Sequence, residues 1–334
     1  MILPDQRDAR PKRFPVPEFP QRKVPPFGRM PPAVFPPILG LLGLAVAVRL
    51  ALDRLGFDTG AGDRIAGGAV ARWGFAAVGY AAKVMRRAGV VVDDLRTLPG
   101  RSGLAAMTAG GMVAATLLAS YAPGLAKGLI VAALAGHAVL ALLLIRLLLS
   151  LPSEARQVNP TLHLGFVGFI VAGPAAVAVG WSVLALVLFC LTLPVALGIW
   201  TLSAVQFAHS TPPPPLRPLL AIHVAPAALL GLVAGLLGMG GFALGLTLGG
   251  LALMGALVLS GRWLLCAGVT PMWGALTFPM AALATALMRL GGGWQTVGTG
   301  LTFVALGVIP AILWWVLSRW PGGKLAAVTN AAEA

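Results

Sequence analysis

Long apolar runs cut by short polar or glycine-rich connections alternate along this chain from about residue 32 to residue 318. Ten runs can be drawn, over 32–50, 64–85, 103–121, 125–149, 161–180, 182–203, 217–237, 240–260, 269–290 and 295–318. At a rise of about 1.5 Å per residue, each is long enough to cross a hydrocarbon layer as a helix. Connections as short as Gly180-Trp181 and Gly238 to Gly241 force their flanking runs to be antiparallel neighbours, so the pattern predicts five helical hairpins in succession. The flanks differ. Residues 1–31 are proline-rich and basic without an apolar run, which predicts a cytoplasmic tail rather than a cleavable leader or a folded domain, and 319–334 predict a second, short cytoplasmic tail.

Several of these runs are interrupted. The ninth, VTPMWGALTFPMAALATALMRLG, has no charged residue from Thr270 to Met288, yet Pro279 falls near its middle, beside Thr277 and Phe278. A proline there removes one backbone donor and frees the carbonyl of Ala275, which predicts a kink. Phe35-Pro36-Pro37, Gly173-Pro174 and Ala225-Pro226 interrupt the first, fifth and seventh runs at comparable depth, and Gly110-Gly111 occupies that depth in the third. Pro174, Pro226 and Pro279 recur at 52 and 53 residues, the kind of internal repetition found in transport folds. Broken helices survive in a membrane where the freed backbone faces protein or a water-filled cavity. The five odd-numbered runs are therefore expected to surround a pore, with Phe278 as its plug. By itself, an aromatic in an apolar run more often packs than plugs.

Composition agrees with a membrane-embedded chain. Hydrophobic residues make up 58% and charged residues 10%, too apolar a mixture for a water-soluble globule of 334 residues. The formal charge of +14 is a topology signal rather than a nucleic-acid footprint. With the N-terminus inside, 18 Lys and Arg fall on the inner side against five on the outer, leaving Arg72 within a span. Both termini are therefore expected to be cytoplasmic, in a plasma (inner) membrane protein.

The candidate chemistry is sparse. No nucleophile–base constellation, metal cluster or cofactor motif is present, so neither an enzyme nor a metal- or cofactor-binding protein is indicated. Cys190 and Cys266 read as packing residues, and His137 and His223 as side chains bonded to neighbouring backbone. Every Asp and Glu falls in a predicted tail or loop, which removes the intramembrane carboxylate that ion-driven carriers and cation paths use. A nearly neutral path that holds anions weakly and releases them quickly remains.

Three landmarks then align in order: Asn159-Pro160-Thr161 with GFVGFIVAGPAAVAVG, Leu216-Arg217-Pro218-Leu219-Leu220-Ala221-Ile222 with Ala225-Pro226, and Met272-Trp273-Gly274-Ala275-Leu276-Thr277-Phe278-Pro279 with AALATA. In this succession the chain resembles the tellurite-resistance/dicarboxylate transporter family, which includes the slow anion channels of plant guard cells. The resemblance covers about 32–318. It implies an all-α membrane domain of ten helices, odd helices inside and even helices outside, around a central pore, assembled as a homotrimer. It also implies that Phe278 closes the pore, and it extends the pore-lining and kink set to Phe35, Pro37, Gly110, Gly111, Gly173, Pro174, Ala225, Pro226, Thr277 and Pro279. The first span, FPPILG, departs from the looser Phe-Gly arrangement common in that family. The expected function is passive passage of small inorganic or organic anions; the alternative is a secondary carrier exporting C4-dicarboxylates or oxyanions such as tellurite.

Overall fold

The computed structural model describes residues 25–152 and 158–334, and all regular structure among them is helical. In chain order the α-helices are α1 (Phe35–Arg54), α2 (Gly60–Arg86), α3 (Val90–Leu95), α4 (Leu98–Leu118), α5 (Pro123–Ser150), α6 (Gly173–Ala178), α7 (Ser182–His209), α8 (Val224–Leu236), α9 (Gly240–Leu259), α10 (Gly261–Leu264), α11 (Thr277–Leu290), α12 (Gly293–Leu317) and α13 (Lys324–Val328). Among the described residues, seven helical stretches are long and apolar enough to cross a membrane.

These stretches divide by burial. The apolar windows of Pro32–Arg54, Pro214–Leu236 and Pro271–Leu290 are 83%, 78% and 72% buried, whereas those of α5, α7, α9 and α12 are only 22–33% buried. The second group has apolar side chains around most of its circumference, as a helix facing lipid requires. Contacts follow the same division. α1 packs on α4, α4 on His163–Ala178, that segment on α8, α8 on α11, and α11 back on α1, so the buried elements close a ring. Each also packs on the helix that follows it: α1 on α2, α4 on α5, α6 on α7, α8 on α9 and α11 on α12.

The prolines act differently from the predicted mid-helix kinks. In four buried elements a short 3-10 or 3-10-containing stretch leads into an α-helix, and the proline lies in the first α turn. The 3-10 turn Pro32–Val34 precedes α1 with Pro36 and Pro37; Gly168–Ala172 precedes α6 with Pro174; Pro214–His223 precedes α8 with Pro226; and Pro271–Leu276 precedes α11 with Pro279. An α-helix's first N–H groups have no intrahelical partner, so a proline there forfeits no bond, and the chain changes helix type instead of bending. Gly110 and Gly111 do not interrupt the third element, since α4 runs unbroken through both.

Polar anchors fix the ends. Asp94, expected in a loop, is in α3 and fully buried; its carboxylate pairs with Lys83 at 2.9 Å and accepts from the Tyr80 hydroxyl at 2.9 Å and the Ala332 N–H at 2.8 Å. Lys83 also donates to the Met30 carbonyl at 2.9 Å. The segment expected to be a tail after 318 thus packs: Leu325 and Ala326 of α13 are buried, the Arg87 guanidinium donates to the Glu333 carbonyl, and the Glu333 carboxylate pairs with Arg29. Of the predicted tail 1–31, residues 1–24 lie outside the described residues, as do Glu154 and Arg156, whereas Met30 is fully buried. The two cysteines are exposed rather than packed, and Cys266 Sγ lies 3.1 Å from Arg217 Nη1.

Candidate functional site: an uncharged cavity lined by five buried elements

Inside the ring of buried elements is a cavity of about 30 Å³, room for about two water molecules. Every buried element contributes to its wall, and no ionisable side chain does. Its one hydroxyl, that of Ser102, donates back to the Pro99 carbonyl at 3.1 Å.

The lining repeats with a period of three. Ala33, Pro36 and Leu39 come from the first element, Leu219, Ile222 and Ala225 from the seventh run, and Met272, Ala275 and Phe278 from the ninth. A 3-10 helix has three residues per turn, so side chains at i and i+3 eclipse one another. Leu219, Ile222, Met272 and Ala275 lie in 3-10 stretches and Ala225 and Phe278 in the α-helix that follows, whereas in the first element only Ala33 precedes the α-helix. α4, α-helical throughout, contributes Ser102 and Ala106 four residues apart.

Phe278 sits at the second position of α11, 6% exposed, with its ring against the backbone of α1. A Cβ built on Gly43 would meet ring carbons at 3.0 and 3.2 Å, so glycine there creates the seat for the ring. Two more glycines join the same elements: a Cβ at Gly40 would fall 2.1 Å from Thr277 Oγ1, and one at Gly274 would fall 2.9 Å from Pro37 Cδ. The Thr277 hydroxyl donates to the Gly274 carbonyl at 2.7 Å, with the Pro36 carbonyl at 3.2 Å. Thr277 therefore holds the 3-10 to α junction on which Phe278 is mounted.

The structure brings Phe278, Pro279 and Ala225 of the predicted set to the cavity wall. The others lie elsewhere. Phe35 packs edge-to-face on Tyr80 of α2, with ring centroids 6.3 Å apart. Gly110 and Gly111 admit the Trp73 ring of α2, which a Cβ would meet at 2.6 and 3.1 Å, and Gly173 admits Val233 of α8. Pro37, Thr277, Pro174 and Pro226 belong to the junctions just described. The residues missed at the sequence level, among them Leu39, Leu164 and Met272, are ordinary apolar side chains. For Leu39 and Met272 the only signal is the spacing of three within their stripes, and Leu164 has none.

The helices surround an uncharged cavity that Phe278 lines, and the family comparison bears on what such a cavity serves. Residues 29–318 match the family described as voltage-dependent anion channel. The chain belongs to that family. A comparison with curated proteins gives no match. Family membership bears out the resemblance carried by the three landmarks and places the chain among anion channels and transporters rather than enzymes. It is a membrane-spanning protein, and anions are the class of solute its family handles.

Proposed function

We propose that this chain is a passive anion channel whose path runs through the ring of buried elements and is closed at rest by Phe278. In this reading ten spans form five hairpins, with α1, α4, His163–Ala178, Pro214–Leu236 and Pro271–Leu290 inside and α2, α5, α7, α9 and α12 outside. Both termini are cytoplasmic in the plasma membrane, and the channel works as a homotrimer with one path per subunit. The observation that carries the reading is the Phe278 ring, seated on Gly43 and lining a cavity to which every inner element contributes.

The physical sequence is short. An anion entering from water must shed part of its shell, and a wall without fixed charge neither traps it nor supplies the negative field that a cation path uses. Only the Phe278 ring then has to move. Rotation of an aromatic side chain needs no rearrangement of the junction below it, which Thr277 ties to α1.

Purified protein in planar bilayers, tested by ion substitution, distinguishes the reading from its rival. The channel reading expects reversal potentials that follow the chloride or nitrate gradient and ignore the monovalent cation. Saturable flux of a C4-dicarboxylate or an oxyanion that requires a counter-ion, without conductance, supports the carrier instead.

A further inference from the structure

Behind the cavity wall lies a polar cluster that the channel reading has not used. His163 opens a five-residue π-helical turn, His163–Val167, and is 1% exposed. Such turns are rare and are frequently found at functional sites. Neither ring nitrogen of His163 has a hydrogen-bond partner among the described residues. The ring of His223, at the end of the 3-10 stretch before α8, stands 5.0 Å away at 86°, and its Nδ1 is likewise buried and unpartnered. Trp200 of α7 closes another side, 5.3 Å from His163, and donates its indole N–H to the His223 carbonyl at 3.2 Å. Ser203, one turn further along α7, also buries an unpartnered hydroxyl.

Three unpartnered ring nitrogens on two touching histidines are unusual, because interiors satisfy nearly all such groups. His137 also leaves its Nε2 unpartnered, but its Nδ1 lies 2.6 Å from the Thr108 hydroxyl, whereas both nitrogens of His163 lack a partner. Two nearby cations are committed elsewhere: Arg101 donates to the Leu95 carbonyl, and Arg217 to the carbonyls of Pro212 and Trp263. The position of the pair is equally specific. Leu164, next to His163, and Ile222, next to His223, both line the cavity. The cavity wall itself spends its one hydroxyl on Pro99 and offers a dehydrated anion no side-chain donor.

We infer that His163 and His223 form an anion-binding side pocket on the cavity, reached past Leu164 and Ile222, in which the ring N–H groups replace water around the ion and set which anions pass. An imidazole carries at least one N–H donor in either protonation state, so the site needs no fixed charge. The two rings touch edge-to-face at 5.0 Å, so the ligand, a small monovalent anion, spherical or planar and able to accept two N–H bonds, enters by parting them. This inference rests on the proposal that the cavity belongs to the anion path.

The test begins with binding, which is independent of gating. Wild type and the variants His163→Phe, His223→Phe and His223→Gln are purified and their thermal midpoints followed against nitrate at constant ionic strength. Nitrate is expected to raise the wild-type midpoint, and both Phe variants are expected to lose at least fivefold in apparent nitrate affinity. His223→Gln, which keeps an N–H donor, is expected to stay within twofold of wild type. Currents in a Phe278→Ala background supply a second reading, with the nitrate-to-chloride permeability ratio changed by the Phe variants and kept by Gln. If His163→Phe does not fold, His223→Phe carries the test, because its ring is half-buried. Phe variants that elute as wild type and keep both the affinity and the ratio within twofold overturn the inference, as does a wild type that nitrate leaves unshifted. Histidine-dependent nitrate binding together with an inert Phe278→Ala would reject the plug and leave the side pocket standing.

Discussion

The ring of Phe278 lies directly on Gly43, so close that a methyl group at that position would meet two ring carbons at 3.0 and 3.2 Å. The same methyl group would meet the Ala281 Cβ at 3.2 Å. Gly43→Ala therefore pushes the ring off its seat by a few tenths of an ångström, because the backbone of α11 behind it is held by Thr277. A raised resting anion current, smaller than that of Phe278→Ala, is the expected result in bilayer recordings. A current unchanged from wild type in folded Gly43→Ala protein counts against the seat.

Gly40 makes a harsher demand. Its missing Cβ would overlap Thr277 Oγ1 at 2.1 Å, and the Thr277 backbone carbon lies at 3.2 Å. Gly40→Ala is expected to destabilise the fold by about 1–3 kcal/mol, the usual cost of overpacking. Gly67→Ala, where nothing lies within 4 Å, should leave the thermal midpoint of the detergent-solubilised protein where it is. Equal midpoints for the two variants would contradict the close approach of α1 and α11.

The prolines allow a test by sign. In the first turn of α11, Pro279 costs no hydrogen bond and restricts the unfolded chain, so Pro279→Ala should lose about 0.4–1 kcal/mol. A proline in a helix interior costs about 3 kcal/mol, and replacing it would stabilise. The direction of the shift in thermal midpoint therefore separates a helix-type junction from a kink.

At the opposite end of the buried elements, Asp94 joins Lys83, Tyr80 and the backbone of residue 332. Asp94→Ala strands a fully buried ammonium, for which a loss of about 3–5 kcal/mol is expected. The double variant Asp94→Leu with Lys83→Met, which removes both charges, should recover most of it. A double variant no more stable than Asp94→Ala contradicts the account of this pair.

Much of this was legible in the sequence because the membrane constrains it. Apolar length fixes which runs can span, and proline and glycine mark where the chain changes course. Phe278 was found because it stands at a proline inside an uncharged run. The rest was hidden for specific reasons. A proline inside an apolar run reads as a kink, and only the upstream backbone, as 3-10 at Pro271–Leu276, turns Pro279 into a first-turn residue. Gly110-Gly111 resembled a break but serves the Trp73 ring, a partner on another helix that no local pattern announces. Asp94 looked like a loop carboxylate because its partners, Lys83 and Ala332, are brought together only by the fold. His163 and His223 are 60 residues apart in the chain, and their pairing depends on the packing of two buried elements.

The central claim is that one benzyl side chain closes the anion path. The most direct measurement is the single-channel or macroscopic anion conductance of Phe278→Ala against wild type, in bilayers containing equal amounts of protein. The account predicts a severalfold rise in chloride or nitrate conductance with the cation still excluded. A conductance equal to that of wild type, from a variant that is folded and inserted, would contradict it.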